Sequence, residues 1–155
     1  MKVADKVVIV TGAGKGIGYA MCQKLVEGGA KVVLNDIDKK VATEAANEIG
    51  AVDSCIAVAG DSGDPDVVSK LVEAAVSRFG RLDAAIANSG ITVFGDFFTY
   101  PKTDLDRVLG VNIGGTFFLA QAAANQFRKQ GSPGSLLFTS SVVGHQAHVS
   151  KLVLR

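Results

Sequence analysis

Thr11-Gly12-Ala13-Gly14-Lys15-Gly16-Ile17-Gly18 follows directly on Val7-Val8-Ile9-Val10 and leads into Tyr19 to Glu27. The four-residue β-branched run is continuous rather than alternating, as in a strand buried on both faces of a parallel sheet. Tyr19 to Glu27 has helical spacing and stops at Gly28-Gly29. Strand, glycine turn and helix together make the first half of a βαβ unit, in which the crossover helix forces the next strand to run parallel.

The same cycle returns along the chain. Lys31-Val32-Val33-Leu34 reads as a second strand ending at Asn35-Asp36. Asp38 can cap a helix that runs to Ile49 and stops at Gly50. Ser54 to Val58 is a weaker third strand. Asp64-Pro65 opens a helix with proline in its first turn, and that helix ends at Gly80. Leu82 to Ala87 is a fourth strand, followed by an irregular aromatic loop from Ile91 to Tyr100. Helices are predicted over Thr103 to Gly110 and Val111 to Lys129, and Ser135 to Ser140 is a fifth strand. From Val142 to Arg155 no period is visible. The class is therefore α/β with a parallel sheet, built as a single domain over residues 1–155.

Composition narrows the function. Sixteen basic residues nearly balance fifteen acidic ones and form no stripe, which argues against a nucleic-acid partner. No apolar run reaches the length of a membrane span, and the N-terminus lacks a signal-peptide layout, so the chain reads as cytoplasmic. Cys22 and Cys55 fall on a helix and a strand and read as small buried hydrophobes. No metal-ligand cluster is visible. The glycine turn does not end in Gly-Lys-Ser/Thr, and no acidic cluster follows the first strand, so P-loop and response-regulator readings fit poorly.

A glycine turn at this place has a chemical use. It lets the chain turn tightly, lets the backbone approach phosphates closely, and lets the helix pack against the strand, with N–H groups of the helix N-terminus meeting the negative charge. The bland reading is an ordinary tightly packed βα loop. An acid at the next strand end favours dinucleotide binding. Asp36 there can accept hydrogen bonds from both adenosine ribose hydroxyls and would repel a 2′-phosphate, which favours NAD over NADP. Lys15 argues for NADP, because a cation near the ribose could hold that phosphate. Position 37 is isoleucine, so no planar cation follows the acid. A solvated loop acid or helix cap is the alternative for Asp36, a role Asp38 fits better.

The spacing Gly12-x-x-x-Gly16-x-Gly18, within Thr11 to Gly18, closely resembles the cofactor motif of the short-chain dehydrogenases/reductases. Further motifs follow in order over nearly the whole chain. The resemblance implies a doubly wound, Rossmann-like sheet of order 3-2-1-4-5-6 and hydride transfer between NAD(H) and an alcohol or carbonyl substrate. It implies cofactor contacts at Thr11, Gly12, Gly14, Lys15, Gly16, Ile17, Gly18 and Asp36. Asp61, after the third strand, would contact the adenine amino group, or simply make a turn. Asn88 and Gly90, in Ala87-Asn88-Ser89-Gly90, resemble the family's Asn-Asn-Ala-Gly motif, with Ala87 in place of its first asparagine and Ser89 in place of its alanine.

In the family a tyrosine transfers the proton, a lysine lowers that tyrosine's pKa, a serine orients the substrate oxygen, and an asparagine supports the lysine. Asn112 and Ser141 match the last two, with Ser140 as the rival for the serine. No tyrosine follows Tyr100, and the residue four before Lys151 is Ala147, so the Tyr-x-x-x-Lys pair is missing. His145 and His148 read as loop histidines. Five strands are present, residues 142–155 are atypical, and the expectation is a domain incomplete at its C-terminal side. The fifth strand would then lie at an open edge. Oligomers are usual in the family and doubtful here. The rival reading is an inactive nucleotide-binding or regulatory fragment.

Overall fold

The computed structural model describes residues 3–50 and 52–142. His145, Ala147, His148 and Lys151, together with the terminal segment 143–155, lie outside the described residues. Among the described residues, five parallel strands, β1 (Val7–Val10), β2 (Lys31–Asp36), β3 (Cys55–Ala59), β4 (Ala84–Ala87) and β5 (Ser135–Phe138), form one sheet of order β3-β2-β1-β4-β5. Five helices connect them: α1 (Gly16–Glu27), α2 (Lys39–Ile49), α3 (Pro65–Phe79), α4 (Lys102–Leu109) and α5 (Thr116–Gln130). A short 3-10 turn at Phe97–Thr99 lies in the predicted aromatic loop.

The alternation of side chains along a strand sorts the core into two layers. Val8 and Val10 of β1 and Val32 and Leu34 of β2 pack with Cys22, Ala42 and Ala46 of α1 and α2. Val7, Ile9 and Val33 point the other way, against Val68, Leu71 and Ala75 of α3 and Leu119 and Ala123 of α5. Each buried Val, Leu or Ile of this kind stabilises the fold by about 1.5–3 kcal/mol relative to exposure. β1 is thus apolar on both faces because both faces are covered. Cys22 and Cys55 lie in the first layer. Burial pushes both thiols up, Cys55 to about 11 and the more deeply buried Cys22 further still, with Cys55 adding to its shift. Both are therefore protonated and poor nucleophiles at neutral pH.

Helix ends agree with the sequence signals. Asp38 accepts from the N–H groups of Lys40 and Val41, and Asp64 from that of Asp66. Gly80 and Gly131 end α3 and α5 with φ of 81° and 68°. One predicted helix differs. The stretch from Val111 does not run straight into α5, because Gly110–Gly115 is π-helical. Three glycines among its six residues leave few side chains to set a helical period. Gly115 packs where a Cβ would fall 2.6 Å from the Ser62 carbonyl oxygen. β5 lies at the sheet edge as expected, with Leu137 48% and Phe138 56% exposed.

At the amino ends of β1 and β4 sits a charge that local sequence patterns do not mark. Asp83 is only 7% exposed and accepts from the Val7 N–H at 3.0 Å, Lys6 Nζ at 3.2 Å and Arg81 Nη2 at 2.7 Å. Burial alone would raise its pKa, but these three donors outweigh it and hold the carboxyl below the usual carboxylate range. A depressed folded pKa adds stability that is complete above the unfolded value of about 4 and fades as pH falls through the folded one. Urea unfolding at pH 7 and pH 3 should therefore show a loss at low pH that is smaller in Asp83→Asn. An equal loss in both proteins would assign acid sensitivity to other carboxylates.

Candidate functional site

All five strands run parallel, so the segments leaving their carboxyl ends gather at the same edge of the sheet. The glycine turn follows β1, Asp36 ends β2, Asp61 follows β3, Asn88 follows β4, and Ser140 and Ser141 follow β5. The strand order places the turn and Asn88 next to each other, because β1 and β4 pair.

Asn88 binds the turn to the sheet. Its Nδ2 donates to the carbonyls of Thr11 at 3.0 Å and Gly12 at 3.1 Å, and its Oδ1 accepts from Thr139 Oγ1 at 3.2 Å. Thr11, buried, answers from the other side, since its Oγ1 accepts from the amides of Asn88 and Ser89, each at 3.1 Å. One asparagine and one threonine thus fix the relative positions of the segments after β1, β4 and β5.

The turn itself is built on close approach. Gly12 has φ of 59°, and a Cβ there would lie 2.9 Å from Ser89 Cα. At Gly18, on α1, a Cβ would lie 2.5 Å from the Gly12 carbonyl oxygen and 2.7 Å from Asn88 Nδ2. Gly16 has φ of 63° with open space where a Cβ would go, so its glycine serves backbone conformation rather than packing. Lys15, at the N-cap of α1, makes no side-chain cap bond, and the first turn carries no acid. Lys15 and Ile17 are exposed. The leading N–H groups of α1 thus have no side-chain oxygen closing them off, which suits a phosphate.

Asp36 is held against this turn. Its Oδ2 accepts from the Gly14 N–H at 3.1 Å and its Oδ1 from the Asp38 N–H at 3.2 Å. Beside it Asn35, buried, donates to the carbonyls of Val58 and Gly60 at 3.0 Å each, tying β2 to the chain leaving β3. Sequence reasoning misses Asn35 because a polar residue ending a strand looks like any turn residue. Asp61 accepts from the Gly63 N–H at 2.8 Å, the geometry of its turn reading, and is exposed beyond β3.

Asn112 lies in the π-helical segment. Its side chain takes both polar groups of Ile91, accepting from the N–H and donating to the carbonyl, each at 2.9 Å. It clamps the start of the 91–100 loop, and Gly90 faces its Oδ1. Its own carbonyl accepts from Thr116 Oγ1 at 2.8 Å. Ser141 is half-buried past β5, Ser140 exposed. Among the described residues no group of three or more His, Cys, Asp or Glu is placed to hold a metal ion, and no helix is long and apolar enough to cross a membrane.

The family model described as short chain dehydrogenase matches residues 6–153. This chain belongs to the short-chain dehydrogenase family. It is 39% identical over 147 residues to the L-rhamnose 1-dehydrogenase (NAD(P)(+)) of Azotobacter vinelandii, covering 92% of this chain and 57% of that protein. It is 42% identical over 138 residues to versicolorin reductase stcU of Emericella nidulans, covering 88% and 51%. A short-chain type dehydrogenase/reductase from Mycobacterium marinum superposes with a TM-score of 0.92 at 28% identity, over 98% of this chain and 62% of that one. The chain of this short-chain dehydrogenase family member thus spans just over half the length of these curated relatives.

Proposed function

We propose that this chain is the nucleotide-binding part of an oxidoreductase that moves hydride between NAD(H) and an alcohol or carbonyl carbon of a small molecule in the cytoplasm. The observation that carries the reading is the glycine turn with the Asp36 carboxylate fixed against it, beside an α1 N-terminus that no side-chain oxygen caps. Thr11, Gly12, Gly14, Lys15, Gly16, Ile17, Gly18, Asn88 and Gly90 would receive the cofactor, with Asp61 at its adenine end. The pyrophosphate would lie on the turn and the adenosine ribose on Asp36. A relative named for NAD(P)(+) supports the nicotinamide class. The cofactor would supply the carbon that gives or takes hydride, Ser141 would orient the substrate oxygen, and Asn112 would hold the loop beside it.

A second reading is that these 155 residues bind nucleotide without turning substrate over. Titration of the purified chain with NADH and NADPH by calorimetry, with circular dichroism to establish folding, tests the first reading. Saturable binding with NADH tighter supports it, and a folded chain that binds neither overturns it. Binding with no hydride transfer to any of a panel of alcohols and ketones supports the second.

Asp36→Ala should weaken NADH binding roughly 10–100-fold, since one to two charge-assisted hydrogen bonds are worth about 1.5–3 kcal/mol. NADPH should lose far less, because the carboxylate that opposed its phosphate has also gone. Equal losses for both would remove Asp36 from the ribose site.

A further inference from the structure

We infer that Gly14 is a specificity-determining positioning residue: the absence of a side chain there lets Asp36 lie against the glycine turn, where it selects NADH over NADPH. The inference rests on the proposal that Asp36 receives the ribose, and adds what sets the position of its carboxylate.

Gly14 differs from its neighbours in the turn. Gly12 and Gly16 have positive φ, whereas Gly14 does not, so an alanine backbone is allowed there. The constraint is steric and falls on two side chains. A Cβ on Gly14 would lie 2.8 Å from Asp36 Oδ2, 2.9 Å from Asp36 Cγ and 2.6 Å from Val41 Cγ1. Val41 is in the first turn of α2, is half-buried, and is β-branched, so its χ1 is stiff in a helix. The carboxylate is the group free to give way.

Moving it has a chemical cost. In place, each Asp36 oxygen uses one acceptor site on a backbone N–H, Gly14 for Oδ2 and Asp38 for Oδ1, and keeps another. The remaining sites are fixed in direction by two anchors on different segments. A methyl group between Asp36 and Val41 breaks the Gly14 anchor and swings the acceptors away from the ribose. A displaced carboxylate also stands less squarely where a 2′-phosphate would go. Gly14 therefore acts through Asp36, with Val41 as the wall behind it.

The test is the ratio of NADPH to NADH dissociation constants, because damage to the shared pyrophosphate site cancels in it. Gly14→Ala in the 155-residue chain should lower that ratio about tenfold, the value of one charge-assisted hydrogen bond. Gly14→Ala/Val41→Ala should restore most of it, because the wall has retreated. In an Asp36→Ala background, Gly14→Ala should leave the ratio unchanged. A wild-type chain without NADH preference would sink the reading of Asp36. A wild-type preference that survives Gly14→Ala would overturn this inference and leave that reading standing. Amide exchange reads the same displacement without cofactor. The N–H of residue 14, whose bond to Asp36 is the one broken, should exchange several-fold faster in Gly14→Ala relative to the amides of α2, and unchanged exchange there would overturn the inference whatever the chain binds.

Discussion

Gly18→Ala should abolish measurable NADH binding and destabilise the fold by roughly 2–3 kcal/mol, the upper range for forcing a methyl group into a packed site. The added carbon would meet the Gly12 carbonyl oxygen at 2.5 Å, Asn88 Nδ2 at 2.7 Å and Ala13 Cα at 2.8 Å. Two of these are backbone atoms of the turn, and the third is the amide that anchors it, so no flexible side-chain end can yield. α1 has to back away from β1, and its leading N–H groups move with it. Gly16→Ala is the contrast. It meets nothing within 4 Å but has φ of 63°, so it should cost only about 1–2 kcal/mol of left-handed strain. Calorimetry and urea unfolding of the two variants separate the effects. If Gly18→Ala binds NADH as well as Gly16→Ala does, close helix approach is not what the site requires.

Asn88→Ala should cost roughly 2–4 kcal/mol, because removing one partner leaves carbonyls unpaired in a half-buried place at about 1–3 kcal/mol each. The groups released are the carbonyls of Thr11 and Gly12 and the hydroxyl of Thr139. The turn after β1 would lose its lateral anchor, and NADH affinity should fall at least tenfold with it. Asn88→Asp is a sharper probe, since it keeps the size and replaces the donor by a second acceptor facing two carbonyls. It should be at least as damaging as alanine. An aspartate variant as stable as wild type would mean that the Nδ2 contacts contribute little.

Much of the framework is legible in the sequence because it rests on local rules. Continuous β-branched runs mark the inner strands, and Asp38, Asp64, Gly80 and Gly131 stand where the helices begin and end. The site is legible where glycines cluster and where an acid ends β2. The features that escape depend on partners far apart in the chain. Asp83 looks like an interruption in an apolar strand until Lys6 and the Val7 N–H arrive from 77 and 76 residues away. Thr11 reads as part of a motif, yet its hydroxyl serves amides 77 and 78 residues on. The π-helical turn escapes because glycine carries no periodic signal. Asn112 can be placed by resemblance, but its pairing with both polar groups of Ile91 has no mark in the sequence.

The two core layers also differ in when they can exist. Apart from Ile86, the buried residues of the first layer all lie between Val8 and Cys55. The second needs Leu82, Ala85, Leu119 and Ala123 as well. A chain emerging from the ribosome at about 5–20 residues per second therefore holds nearly all the material for one face of its sheet several seconds before the other face can close. During that interval α3 is the only helix that can cover Val7, Ile9 and Val33, and the share of that face that α5 will take is what any chaperone guarding this protein during synthesis has to guard.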